Sequence, residues 1–358
     1  MTDTLVTLTV GNTIHQGWEK VEIRRSLYSL AGTFDLTLSP VWEQMPDHYA
    51  LYAGENCQIK IGSTPVITGF IDRVTQIIDS SQRSIRVTGR DLTADLVDCS
   101  YMGTLRCWQN ISLESLVTKF LAPFKIAHYI EGPTGNLFPT WGIETESIFD
   151  NLSKAASLRQ LLLTTNGKGD LVITKPHTQR LSAFINSQSN VLSAEKSEDY
   201  SSRYSHYETR IQNFQAEKLT ETNLKVIAKA NDEEVKRYRP LLVSQEGEIS
   251  PEIAKKRIKW ERNLRASRSD RVEITLTGWL NRMGHLWDYN QMISISLPAI
   301  GVADKYLITG VTFTLDSSGM KTRLECEGLS SASVDPTLES REFNYKRLVE
   351  EEIKENTQ

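Results

Sequence analysis

The first part of the chain alternates between polar and apolar positions in short stretches. Stretches of this kind cover residues 4–10, 19–24, 33–39, 58–61, 66–71 and 84–88, with turn residues such as Gly11 and Gly32 between them. A period of two places one face of a strand in a core and the other face in water. Several such strands within about ninety residues are typical of a small barrel or sandwich. The pattern predicts a β-barrel domain over residues 1–98.

The second half of the chain repeats this pattern. Five short segments recur in the same order: 34–38 at 272–276, 58–61 at 292–295, 67–69 at 308–310, 79–82 at 316–319 and 85–92 at 322–329. The interval from Ile67 to Asp79 is four residues longer than that from Ile308 to Asp316. An even difference keeps each strand's apolar face in phase, as if a hairpin had lost two residues from each strand. We therefore expect a duplicated barrel, with 1–98 superposing on a discontinuous domain of 190–212 and 269–335.

Two different segments lie between the copies. Residues 99–189 are predicted to form a mixed α/β domain. They contain a helix after Ser112, a helix over 146–158, and a hairpin around the turn at Asn166. Residues 213–268 carry 13 basic and 9 acidic residues, a net charge of +4 in a chain whose total is −4. We interpret this segment as an inserted, charged α/β domain, with a helix that starts at Ser250 and buries Ile253, Trp260 and Leu264.

The C-terminal residues 336–358 form a charged tail. Just inside it, four aromatic and basic residues alternate: Arg341, Phe343, Tyr345 and Arg347. Aromatic side chains and arginine are enriched at protein interfaces. These four residues are the candidate partner-interface residues, and a solvated terminus is the competing interpretation.

Composition narrows the class of protein. The chain has 358 residues, of which 39% are hydrophobic and 24% charged, which is typical of a globular protein. A net charge of −4 argues against a dedicated nucleic-acid binder. No apolar run is long enough to cross a bilayer, and no secretory leader precedes the first strand, so we expect no membrane insertion and synthesis in the cytoplasm. The four cysteines are scattered and predict reduced thiols.

The sequence contains no recognisable catalytic motif. It has no phosphate-binding loop, no nucleophile elbow and no histidine or cysteine spacing suited to a metal, so we predict no catalytic, cofactor or metal site. Two alternatives remain open. A cell-wall-degrading enzyme could use paired carboxylates among Asp72, Asp91, Asp95 and Asp98, and a carbohydrate-binding protein could use some of the seven tryptophans.

One stretch resembles a known family. Ile67-Thr-Gly-Phe-Ile-Asp-Arg73, followed by the segment from Ile85 to Ser100 with its Gly89-Arg90-Asp91 element, resembles the baseplate hub proteins of contractile-tailed phages. The likeness is greatest to the Mu-type tail hub, which is related to the late-control D proteins and to the hub part of type VI spike proteins. Helix 146–158 and the Gly169-Asp-Leu-Val-Ile-Thr-Lys-Pro176 ending are similar to that family's second domain.

The resemblance implies a structural function in the virion. Hubs of this family form homotrimers in which two similar barrels per chain make a ring of six units. Such a ring adapts a six-fold tail tube protein to a three-fold central spike protein, with a tape-measure protein or DNA passing through its channel. The resemblance therefore implies a baseplate location, no enzymatic activity and no cofactor. The insertion and the tail carry no family motif.

Overall fold

The computed structural model describes residues 4–38, 51–78, 83–143, 145–176, 180–212, 224–244 and 251–328 of a mainly β protein. The first 98 residues form seven strands and a short helix. These are β1 (Val6–Val10), β2 (Thr13–His15), β3 (Lys20–Ser26), β4 (Thr33–Leu38), β5 (Asn56–Ile61), β6 (Thr64–Ile78), β7 (Arg83–Asp91) and α1 (Ala94–Asp98). In the sheet the strands follow the order β3-β4-β7-β6-β5-β1-β2, with antiparallel neighbours throughout. We call this part the first half-sheet.

The next 75 or so residues form a part that mixes helices and strands. Its elements are β8 (Cys107–Ile111), α2 (Leu113–Leu121), β9 (His128–Ile130), β10 (Phe138–Gly142), α3 (Ile148–Leu158), β11 (Leu162–Thr165) and β12 (Leu171–Thr174). Helix α2 begins where predicted, because the Ser112 hydroxyl accepts a hydrogen bond from the Ser115 amide at 3.1 Å. The hairpin β11–β12 also forms, and β9 adds to it in parallel. Both helices bury their apolar faces in one core with these strands.

The rest of the chain makes a second part of the large sheet, with a small unit inserted in it. The strands and helix are β13 (Arg180–Asn186), β14 (Val191–Glu198), β15 (His206–Gln212), β16 (Leu224–Asn231), β17 (Pro240–Ser244), α4 (Pro251–Arg268), β18 (Asp270–Thr277), β19 (Gln291–Leu297), β20 (Val302–Asp316) and β21 (Gly319–Gly328). Strands β14-β18-β21-β20-β19-β13 form the second half-sheet in that order. The inserted unit is the sheet β16-β15-β17, on which α4 packs.

The two half-sheets share the order of five strands. β3-β4-β7-β6-β5 corresponds to β14-β18-β21-β20-β19, and all these pairs are antiparallel. Each long hairpin also carries a register shift at the corresponding place, at Asp72 in β6 and at Thr309 in β20. The sixth strands differ, since β1 pairs antiparallel with β5 whereas β13 pairs parallel with β19. The repeat therefore extends to backbone register over the five strands.

This register corrects two of the sequence matches. The pair Gly69–Asp91 corresponds to Tyr306–Gly328, so β6 and β7 map onto β20 and β21 with a constant separation of 237 residues. The counterpart of Ile308 is Ile71, not Ile67, and the expectation that a hairpin lost two residues from each strand is wrong. The match of Gln58 with Met292 is likewise displaced by two residues, because Gln58 corresponds to Ser294. The other three matches follow the pairing.

Two expected boundaries also differ from the strand pairing. β13 pairs with β19 in the large sheet, so residues 180–186 lie with the second half-sheet and not with the mixed part. Among the described strands, β15 pairs only with β16 and β17, so the inserted sheet starts at His206 and not at residue 213. In α4, Trp260 is buried as predicted and Ala254 and Ile258 are fully buried, whereas Ile253 and Leu264 are half-buried.

The two half-sheets are joined edge to edge. Strand β3 of the first pairs with β20 of the second, from Val21–Leu315 to Ser26–Gly310, which makes one continuous sheet over a common hydrophobic core. Among the described strands, no pairing closes either half-sheet on itself. The mainly β fold is thus confirmed, while closed barrels stay a prediction.

Candidate functional site

The joint between the half-sheets contains a buried cation. Arg25, on the core-facing side of β3, donates from Nη1 to Asp288 Oδ1 at 3.1 Å and from Nη2 to the Tyr289 hydroxyl at 3.5 Å. Its guanidinium also lies 4.9 Å from the Tyr289 ring centre. The hydroxyl of Thr164, in β11, donates to Tyr289 at 3.0 Å and the Tyr289 hydroxyl donates to the Thr165 carbonyl. Arg25 and Tyr289 therefore link both half-sheets and the mixed part.

A second polar cluster lies at the other side of this joint. The Tyr28 hydroxyl, just beyond β3, donates to Glu327 Oε2 in β21 at 2.8 Å, and the Arg268 guanidinium at the end of α4 lies 4.1 Å from the Tyr28 ring centre. Glu327 is buried, and burial raises the pKa of its carboxyl above the ordinary value. This cluster connects the first half-sheet, the second half-sheet and the inserted helix.

The Gly89-Arg90-Asp91 element is structural. A Cβ on Gly89 would lie 2.1 Å from the Phe70 carbonyl oxygen, so only glycine allows the present approach of β6 to β7. Arg90 binds Asp72 and Asp98, each at 2.8 Å. Asp91 is buried and accepts from the Gly32 amide at 2.6 Å and from the Thr93 amide at 2.9 Å. Burial raises the pKa of the Asp91 carboxyl, and these hydrogen bonds oppose the rise.

The four aspartates that a cell-wall-degrading enzyme could use all have structural contacts or positions here. Arg90 bridges Asp72 and Asp98. The carboxylate oxygens of Asp91 accept hydrogen bonds from backbone amides and from the Thr93 hydroxyl. Asp95 lies in the first turn of α1, the position of an acid that favours a helix start. The four aspartates thus hold the end of β7 and the start of α1 in place.

Several arginines in and next to the inserted unit are engaged in contacts. Arg203 makes a two-pronged bond with Asp232, at 2.6 and 3.0 Å, and both side chains are buried. In α4, Glu261 binds Arg257 at 2.9 Å and Arg265 at 2.8 Å. Burial lowers the pKa of the Arg257 guanidinium, and its pair with Glu261 opposes this. These arginines therefore help to hold the small unit together, while Lys255, Lys256 and Lys259 of α4 are exposed.

Four strand edges of the large sheet have no partner among the described strands: the outer edges of β2 and β13, one edge of β6 and the outer edge of β14. Beyond Ile71, β6 pairs on one side only, with β7, so the edge from Arg73 to Ile78 is open. The outer edge of β14 is open as well, because β14 pairs only with β18. Exposed large apolar side chains mark both strands, with Ile78 69% and Leu192 55% exposed. Unpaired strand edges of this kind are surfaces to which another chain can add.

Several sequence predictions concern residues in other places. Arg341, Phe343, Tyr345 and Arg347 lie outside the described residues. Of the tryptophans, five are buried: Trp18, Trp108, Trp260, Trp279 and Trp287. Across the described ranges, no three histidine, cysteine or acidic side chains come together as metal ligands would. No helix in those ranges is both long and apolar enough to span a bilayer. All four cysteines are free thiols.

Sequence reasoning missed the buried joint. A signal was present, since Arg25 continues the inward-facing series of Val21 and Ile23 and so places a charge on an apolar face. A charge in such a position is retained only with partners. The partners Asp288 and Tyr289 lie more than 260 residues away in sequence, which the pattern could not reveal.

Family models and a related protein both match phage baseplate proteins over most of the chain. Residues 5–91 match a model of the N-terminal domain of Mu phage baseplate assembly protein GpP-like proteins, 93–175 the second domain of gp44-like baseplate hub proteins, and 250–328 the fourth domain of GpP. The chain is 28% identical over 331 residues to baseplate hub protein gp44 of Escherichia phage Mu, covering 89% of this chain and 86% of that protein.

Solved structures give the same likeness. The 43 kDa tail protein of prophage MuSo2 from Shewanella oneidensis superposes with a TM-score of 0.80 at 30% identity, covering 90% of this chain and 98% of that one. A tail protein from Neisseria meningitidis MC58 superposes with a TM-score of 0.78 at 21% identity, covering 90% and 96%.

Proposed function

The chain belongs to the family of Mu-type baseplate hub proteins, which are phage tail components, and we propose that it assembles there as a homotrimeric ring. It is a structural protein of a Mu-like prophage and not an enzyme. The observation that carries the proposal is the repeat. One chain holds two half-sheets with the same order of five strands and a register shift at the same place. Three chains therefore supply six similar units.

This geometry suits an adaptor between symmetries. A ring of six similar half-sheets can present a quasi-six-fold face to a tail tube protein. The mixed part and the inserted unit occur once per chain, so a trimer presents them with three-fold symmetry, as a central spike protein would require. A tape-measure protein or DNA would pass through the channel. We place the assembled ring in the baseplate and its synthesis in the host cytoplasm.

Light scattering on the purified chain tests the ring. We expect a mass close to three times 40.6 kDa at micromolar concentration, and three-fold density with a quasi-six-fold ring of half-sheets in averaged electron micrographs viewed along the axis. A stable monomer over the whole accessible concentration range would contradict the trimer. Clearing of a peptidoglycan gel would support the cell-wall-degrading alternative instead.

A further inference from the structure

We propose that the open edge of β6 in one copy pairs antiparallel with the open edge of β14 in the next copy. The proposed register places Val74 opposite Glu198, Gln76 opposite Lys196 and Ile78 opposite Ala194 of the next copy. This inference rests on the proposed ring, and it names the two strands that join neighbouring chains.

The chain itself contains the template for this contact. Within one copy, the edge of β20 from Gly310 to Leu315 pairs with β3 from Ser26 to Val21. The strand that corresponds to β20 is β6, and the strand that corresponds to β3 is β14. The contact equivalent to β20–β3 is therefore β6–β14, and neither of these edges pairs with another of the described strands.

The register follows from the observed strand pairings, one strand at a time. β6 and β7 map onto β20 and β21 with a separation of 237 residues. The pair Phe34–Gly89 then places Phe34 at Val272, and Leu36 at Ile274. Because Leu36 pairs with Val21 and Ile274 pairs with Ala194, Val21 corresponds to Ala194. Leu315 pairs with Val21, so its counterpart Ile78 should pair with Ala194 of the next copy.

The direction of the backbone groups supports this register independently. In an antiparallel strand, alternate residues point their N–H and C=O groups to opposite neighbours. The Leu27 amide donates to the Thr309 carbonyl at 2.8 Å, so the odd-numbered residues of β3 point toward β20. The Asp199 amide donates to the Ser269 carbonyl at 2.8 Å, so Asp199 points toward β18, and residues 194, 196 and 198 point to the open edge. These three are the counterparts of Val21, Ile23 and Arg25.

The side chains fit the same contact. Ile77 and Ile78 are 43% and 69% exposed, although Leu315, the counterpart of Ile78, is half-buried beside β3. An added strand would cover them, and β6 has neither proline nor lysine between Arg73 and Ile78 to discourage such pairing. The register also places Arg73 opposite Asp199, a pair of opposite charge.

The contact has the symmetry of a ring. It joins two different edges, so each copy offers one edge of each kind and copies add head to tail. Such a contact closes into a ring only if the rotation between copies is right, and otherwise it gives filaments. Alternation with the β20–β3 joint would carry one continuous sheet through all the half-sheets.

A disulfide between copies tests the register. Thr75 and Ser197 are opposite each other in the proposed pairing, at a position where the backbones do not bond and the Cα atoms approach to about 4.5 Å. This separation suits a disulfide. In a background of Cys99→Ser and Cys107→Ser, the double variant Thr75→Cys/Ser197→Cys should form covalent dimers and trimers under mild oxidation, visible on non-reducing gels.

The matched control is Thr75→Cys/Glu195→Cys. Glu195 lies on the same face but diagonal to Thr75, about 7–8 Å away, which is too far for the bond. We expect little cross-linked product from it, at least tenfold less than from the first pair. If the control links more strongly than the test pair, the register is wrong.

Light scattering on the same samples separates this inference from the proposed function. A trimer without cross-links at Thr75–Ser197 would overturn the strand pairing and leave the trimeric hub standing. Cross-linked ladders longer than three chains would support the pairing and overturn closure at three. A monomer that never cross-links would overturn both. As a second variant, Ile78→Lys, at an exposed position, should abolish the trimer while keeping the monomer's circular dichroism; a trimer that survives it would contradict the contact.

Discussion

The two half-sheets fill the same place in their cores with different pairs of side chains. In the first, Phe34 lies opposite Gly89, and a Cβ on Gly89 would come within 2.6 Å of the Phe34 ring. In the second, the corresponding pair is Val272 opposite Cys326, both buried. The large Phe34 with the small Gly89 fills the same region of the core as the two medium-sized residues Val272 and Cys326. Core volume is thus kept across the pair and not at either residue, since interiors are close-packed.

The equivalent strands β3 and β14 differ in their neighbours and in the charge that they carry. β3 has neighbours on both sides, and its core-facing Arg25 is held by Asp288 and Tyr289. The corresponding residue of β14 is Glu198, which is exposed beside an open edge. Equivalent backbone positions therefore carry a buried, bonded cation in one half-sheet and an exposed anion, paired with Lys196 at 2.8 Å, in the other. Arg25 is buried because the edge of β3 is covered by β20, whereas Glu198 is exposed because the outer edge of β14 has no neighbour among the described strands.

The largest expected effect comes from replacing Gly89 of the first half-sheet by cysteine, the residue found at the equivalent position of the second. Gly89→Cys should lower the free energy of unfolding by about 3 kcal/mol, because the new side chain meets Phe70 and Phe34. Adding Phe34→Val should restore part of the loss, so the two changes couple by about 1 kcal/mol. Urea unfolding of the two single variants and the double variant measures this, with Cys326→Ala as the control in the other half-sheet. Strictly additive effects would show that the pair is not a unit.

A second comparison uses the equivalent positions of the outer strands. Arg25→Met should cost about 2 kcal/mol of stability, because Asp288 and Tyr289 lose a buried charged partner. Glu198→Met should change stability by about 0.5 kcal/mol or less, since its side chain is exposed. Thermal unfolding at a concentration where both variants are monomeric gives the two values. Equal losses would mean that β14 is already covered within the chain.

The smallest effect concerns pH. Burial raises the pKa of Glu327 in the second half-sheet, so its contribution to stability is greatest at low pH and declines as pH rises through the raised pKa. The bond from Arg90 lowers the pKa of Asp98 beside the first half-sheet, so its contribution is complete above the ordinary value and lost on acidification. Because Asp98 is half exposed, its effect is the weaker one.

The measurement compares Glu327→Gln and Asp98→Asn with the wild type. From about pH 4 to about pH 8, the melting temperature of Glu327→Gln should rise relative to the wild type, because the wild type loses the contribution of Glu327. From about pH 5 down to about pH 2, the melting temperature of Asp98→Asn should rise relative to the wild type, because protonation removes the contribution of Asp98. Parallel curves for all three proteins would contradict the assignment of opposite signs.

Much of the local structure was predictable from the residues. Alternation located β1, β3, β4 and the long hairpins, and the cap at Ser112 located α2. The inserted helix was found from Pro251, but only Trp260 of its three predicted apolar residues is buried, because Ala254 and Ile258 face the small sheet. The polar contacts at the joint between the half-sheets were harder to predict from the sequence. Its side chains come from strands hundreds of residues apart, and the four residues proposed at the C-terminus lie outside the described part of the chain.

The sequence by itself determined that the chain is mainly β, that its second half repeats the first, and that it resembles the hub family. It could not determine the register of the repeat. A period-two pattern looks the same after any even shift, so matches displaced by two residues at Gln58 and by four at Ile67 were as good as the true ones. Only the ladder of backbone hydrogen bonds, with its matching shifts at Asp72 and Thr309, distinguishes them. The same ladder decided which edges are joined within the chain and which are open.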